Sequence, residues 1–182
     1  MARFVRAFLF VCASVAAAVG QQTANDPDPF ATLRFLVGTW QGAQAGQPGS
    51  GACERTYEFV LNERFLQVRN TSTYPPQERN KNGEVHHDIG MIGYDRSRKK
   101  LVFRQFHQEG FVNTYVQNES NDPAMLVFTS EGIENIAAGW RARETYFLLN
   151  KDEFIERFEL AEPGKEFALY SEAHLKRVTR PK

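Results

Sequence analysis

Cysteine is nearly missing from this sequence: 182 residues hold two, Cys12 and Cys53. A disulfide framework is excluded, and a domain of this length has to be held by its core. The sequence around Cys53 shows no context that would lower a thiol's pKa, and it reads as a half-buried bystander rather than a reactive thiol or a dimer link. An excess of either charge is missing too, with 22 basic residues against 22 acidic ones. A nucleic-acid partner, which needs a basic face, is therefore not expected. Apolar runs of membrane-spanning length are also lacking. The longest, Ala7 to Val19, falls short of the roughly 20 residues a spanning helix needs.

That run has a different reading. Arg3 and Arg6 precede it, and Ala18-Val19-Gly20 offers a cleavage site before Gln21, so residues 1–20 are expected to be a signal peptide. Val11 before Cys12 argues against a lipoprotein. The expected product is secreted or periplasmic, with no stable membrane insertion once the signal is removed. Removal takes two arginines and no acid, leaving a net charge of −2.

Long helices are lacking as well. Residues 21–29, polar and with two Asp-Pro steps, read as a disordered leader. Asp28 can cap one short helix that carries Phe30, Leu33 and Leu36 on one face. Ala43 to Ala52, rich in glycine, reads as a flexible loop; no Lys-Ser/Thr pair follows, so it is not a phosphate cradle.

What the chain does have is aromatic rings, 15 Phe and 6 Tyr, and short alternating segments. The segments are the one holding Trp40, then Arg55–Leu61, Arg64–Thr73, His86–Asp95, Lys100–His107, Gly110–Gln117, Ala124–Ser130, Trp140–Leu149, Glu153–Leu160 and Glu166–Val178. About ten strands at this spacing, without crossover helices, predict an all-β fold over residues 30–182. Closing such a meander removes both exposed edges, so the expected form is a closed antiparallel up-and-down β-barrel with one short N-terminal helix. A ten-strand barrel is expected to enclose a cavity its own side chains cannot fill. A two-sheet sandwich with a dry interior is the alternative.

Few residues carry chemistry. There is no Gly-x-Ser-x-Gly elbow, and Glu156 and Glu159 fall on opposite strand faces. His86 and Asp88 share a face that His87 does not. With His107 from the next strand they could supply three metal ligands, but only in one strand register. The favoured reading is a His–Asp hydrogen bond, and no metal is assigned. His107, Asn113 and Tyr115 are candidates to orient a ligand, with Arg143 or Glu144 opposite, depending on which face is inner.

The stretches LRFLVGTWQG, YPPQERNKNGEVHHD, RQFHQEGFVNTYV, WRARETY and FELAEPGKEF resemble the calycin-like β-barrels. The resemblance is greatest to exported bacterial proteins of unassigned function related to the haem-binding nitrobindin barrels. It implies that Trp40 plugs one barrel end beneath a cation from the last strand, Arg177 or Lys176. It also places Tyr170 where nitrobindins carry the haem-ligating histidine, with His174 as a substitute and haem as the implied cofactor.

Three functions follow. The first is an exported barrel binding a small apolar or amphipathic molecule near His86, His107, Asn113 and Tyr115. The second is haem chemistry at Tyr170 or His174. The third is an interaction protein with a filled barrel.

Overall fold

A computed structural model describes residues 27–179; the expected signal peptide and most of the expected leader lie outside them. The architecture is a closed ten-strand antiparallel barrel in which every strand pairs with its neighbours in sequence and β1 pairs with β10. The strands are β1 (Gly38–Gly46), β2 (Gly49–Val60), β3 (Phe65–Tyr74), β4 (Glu84–Asp95), β5 (Lys100–His107), β6 (Val112–Gln117), β7 (Met125–Glu134), β8 (Arg141–Asn150), β9 (Glu153–Ala161) and β10 (Ala168–Thr179).

The short helix is a 3-10 turn, Ala31–Leu36, lying across one end. Asp28 does not cap it; its carboxylate accepts the Phe30 N–H at 3.0 Å in an Asx turn. Phe30, Leu33 and Leu36 are buried, as the face predicted. Gly38 follows with φ 123°, a conformation a side chain would strain. This bend turns the chain from helix to strand and lays the Trp40 indole across the barrel floor. There Trp40 Nε1 donates to the Leu36 carbonyl, and the ring meets Phe154 edge-on at 4.7 Å. Arg177 is the covering cation, 4.0 Å from the ring centroid, and it also donates to the Phe35 and Val37 carbonyls. The floor is a plug with its polar edges tied.

The glycine-rich stretch is no loop. Gly38–Gly46 and Gly49–Val60 pair as far as Gly46 opposite Gly49, leaving a two-residue turn. A Cβ on Gly46 would stand 2.1 Å from the Tyr170 carbonyl oxygen. Glycine is required there so that β10 can approach, and flexibility is not its role.

Alternation now has a direction. Leu66, Val68, Ile92, Leu101, Phe103, Leu126, Phe128, Tyr57 and Phe154 point inward above the plug and are almost wholly buried. This half is a packed core, which corrects the expectation of a cavity running through the barrel. Ten strands leave space, but large aromatic rings fill its lower part. Cys53 belongs to the same wall; burial pushes its thiol up to about 11, where it is inert as a nucleophile at neutral pH.

Candidate functional site

Above the aromatic core, the same inner faces turn polar. On β2 the sequence of inward residues runs Tyr57, Arg55, Cys53; on β3 it runs Val68, Asn70, Ser72; on β4, Ile92, Gly90, Asp88, His86. β5 contributes Gln105 and His107, β6 Tyr115 and Asn113, β8 Glu144 and β9 Glu156. Each lies on the core face because it sits two or four residues from a core residue on its own strand. Together they line the upper half of the interior, under the mouth opposite the plug.

One charge pair anchors this layer. Arg55 Nη2 and Glu156 Oε1 lie 2.8 Å apart, and Arg55 Nε donates to both carboxylate oxygens. Arg55 also donates to the Thr71 carbonyl and to Ser72, whose hydroxyl donates to Gln44. Burial alone would discharge Arg55, but the Glu156 charge outweighs it and holds the guanidinium protonated. A second cluster centres on Asp88, whose Oδ1 accepts from Asn70 at 2.7 Å and from Gln105 at 2.6 Å. Burial pushes its carboxyl up, yet hydrogen bonding from His86, the Arg55 charge and Gln105 win, and the net shift is downward. In a third group, Asn113 Nδ2 donates to Tyr115 at 2.7 Å and approaches His107 Nε2 at 3.2 Å.

Glu144 differs from these. It is buried, and burial followed by the charges of Glu156 and Asp88 drives its carboxyl well above the usual range. Both effects favour the protonated acid. One of its oxygens, Oε2, has no hydrogen-bond partner among the described residues, and Asn70 Oδ1, Gln105 Oε1, Asn113 Oδ1 and His107 Nδ1 share that condition. All five belong to the upper inner wall. A layer with this many open valences can bind a molecule that supplies the missing bonds.

The sequence-derived candidates divide accordingly. His86, His107, Asn113, Tyr115 and Glu144 all face the interior; Tyr115 and Asn113 lie deep and His86 stands at the mouth. Arg143 does not join them. It lies on the outer face, paired with Glu159 at 2.7 Å and stacked over Phe167 at 4.3 Å. Tyr170 and His174 cannot form one site. The register between β10 and β9 shifts between Leu169 and Ser171, so four residues of separation no longer means a common face. Tyr170 packs edge-on against Phe158 at 5.5 Å near the mouth. His174 points outward with 57% of its side chain exposed.

Nor does this donor set suit a haem. Tyrosine ligates iron as the phenolate, and burial, then the Glu84 and Glu109 charges, raise the Tyr170 phenol and oppose that form.

Arg55, Gln105, Asn70 and Glu156 escaped the sequence reading. The signal for Glu156 was present: Phe154, Phe158 and Leu160 share its face, so a charge there had to be buried. Its partner lies 101 residues away and no local pattern could reveal it.

No protein-family model matches the chain, and a search of curated proteins gives no match. Among solved structures the fold is similar to that of Rv2717c from M. tuberculosis. The TM-score is 0.64 at 17% identity, over 85% of this chain and 99% of that one. A redesigned β-barrel gives a TM-score of 0.43 at 10% identity, over 81% and 96% of the two chains. At these identities the likeness is one of fold.

Proposed function

We propose that this chain is an exported barrel that takes up a small amphipathic molecule through its open mouth, polar end first. The observation that carries this reading is the set of five buried polar atoms on the upper inner wall that have no hydrogen-bond partner among the described residues. Leaving a buried polar atom unpaired costs about 1–3 kcal/mol, so a layer of them is a liability in a barrel that only has to be stable. Three are carboxamide oxygens, which favour a ligand bearing O–H or N–H donors. Nearer the mouth, Ile133, Phe158 and Leu160 are only partly buried and suit the ligand's apolar part.

Export rests on the features of residues 1–20. Among the described residues no helix is long and apolar enough to cross a membrane. Ion pairs such as Arg143–Glu159 and Arg157–Glu172 lie on the outer wall, where a lipid-facing barrel would carry an apolar band.

Native mass spectrometry of protein purified from its own host, compared with its denatured mass, tests the reading. A retained non-covalent adduct, lost in Gln105→Leu/Asn113→Leu, is the expected result. The bare polypeptide mass in both samples would sink it. A shifted Soret band in the same sample would replace it with haem binding.

A further inference from the structure

We propose a divalent transition-metal site at the open mouth, formed by His86, His107 and Glu109. It shares His107 with the polar layer beneath the mouth, yet it does not require the organic ligand. The register that the sequence left open is the one observed, with Asp88 directly opposite His107. His86 is two residues from Asp88 on the same inner face, and the turn after β5 carries Glu109 back above it. One donor atom from each of His86, His107 and Glu109 lies within 4.8 Å of the other two. Donors on a tetrahedral ion with bonds of about 2.0–2.1 Å stand roughly 3.3 Å apart. The present spacing brackets that value: His86 Nδ1 and Glu109 Oε1 are 2.8 Å apart. Glu109, with 42% of its side chain exposed, can make the adjustment.

The surroundings are those of a ligating set. His86 Nε2 lies 3.5 Å from Asp88 Oδ2, and Asp88 is itself fixed by Asn70 and Gln105. A carboxylate behind one ring nitrogen leaves the other free to bind a metal. Asp88 therefore positions a ligand and is not one, in contrast to the trio the sequence suggested. His107 is stacked on Phe111 at 4.1 Å, and its Nδ1 is buried with no hydrogen-bond partner among the described residues. Turning the Asn113 carboxamide would let its unpartnered oxygen accept from His107 Nε2–H, leaving Nδ1 a lone pair. A purely structural His86–Asp88–Glu109 cluster accounts for none of this at His107.

Two imidazoles and one carboxylate select Zn²⁺ or a neighbouring transition ion over Ca²⁺ or Mg²⁺. Three protein donors leave a fourth position open towards the chamber.

The test is Zn²⁺ titration of tag-free, chelator-treated protein, with Co²⁺ as the visible probe. One ion per chain, Co²⁺ bands of four- or five-coordinate type and a melting temperature that rises with free metal are expected. Glu109→Gln should weaken binding at least tenfold while leaving the metal-free melt unchanged, because its side chain is exposed. His107→Gln, checked for folding by circular dichroism, should abolish the Co²⁺ bands. His87→Gln, on the outer face, should bind as the parent does. Absence of stoichiometric binding, or Glu109→Gln binding like the parent, overturns the proposal. So does a His87→Gln loss as large as that of Glu109→Gln.

Discussion

At the closed end of the barrel, Trp40 has every need met by the protein. Its N–H reaches Leu36, its edge meets Phe154, its face carries Arg177, and the arginine's own donors end on backbone carbonyls and the Asp152 carboxylate. At the open end, Asn113 is equally buried, but its oxygen meets nothing, and Gln105, Asn70, Glu144 and His107 repeat the pattern. The same ten strands build both regions, so fold alone does not explain the difference. What changes along each strand is the chemistry of the inward position, from rings that fill space to amides and acids that ask for partners. A floor needs closure, and a binding chamber needs open valences. This contrast is the reason the proposed ligand is placed in the half that is worse satisfied.

The largest break in that contrast should come from the floor. Trp40→Ala removes a fully buried indole and the ring beneath the Arg177 guanidinium, so a loss of about 3–5 kcal/mol in urea-monitored stability is expected. A loss below about 1 kcal/mol would mean that the plug is ornamental. Next comes the anchor of the polar layer. Glu156→Gln leaves Arg55 as an uncompensated buried charge and should cost about 3–5 kcal/mol, whereas Arg55→Met/Glu156→Met should recover most of it. If the double variant is as unstable as the single, the pair is not the unit proposed here.

A smaller effect, distinguished by its pH dependence, belongs to Glu144. Its native value is raised, so the protonated acid contributes stability that is complete below the ordinary glutamate value of 4.5. That stability is lost as pH climbs through the native value. Glu144→Gln should flatten this decline and be the more stable protein at neutral pH. Parallel pH profiles for the two proteins would contradict the assignment. Smallest of all is Gln105→Leu, which removes an unsatisfied oxygen together with one hydrogen bond to Asp88; a net change within about 1 kcal/mol is expected. The same substitution at the floor's level of completeness would cost far more.

The barrel was legible in the sequence because strand spacing and alternation are local. Trp40 beneath a cation of the last strand was legible through the resemblance to the calycin-like barrels, which left Arg177 and Lys176 as the alternatives; the structure selects Arg177. The floor's packing was not, since which face is inner is decided by all ten strands together. The Ala43–Ala52 glycines misled because composition cannot tell a flexible loop from a strand against which another backbone presses. That Tyr170 turns inward while His174 turns outward was not legible, because a bulge of one residue leaves no mark in the alternation. His86, Asp88 and His107 converged only under a particular register, and that register is a property of the β4–β5 pairing. Glu109 was overlooked since it sits in a turn, outside any periodic pattern.

The central claim is that the upper half of the barrel is a chamber whose unpaired polar groups await a ligand. A high-resolution crystal structure of protein purified from its own host tests it most directly. Density not belonging to the chain is expected within hydrogen-bonding distance of Asn70, Gln105, Asn113 and Glu144. If those four side chains instead satisfy one another and protein atoms fill the space up to the mouth, the account is wrong.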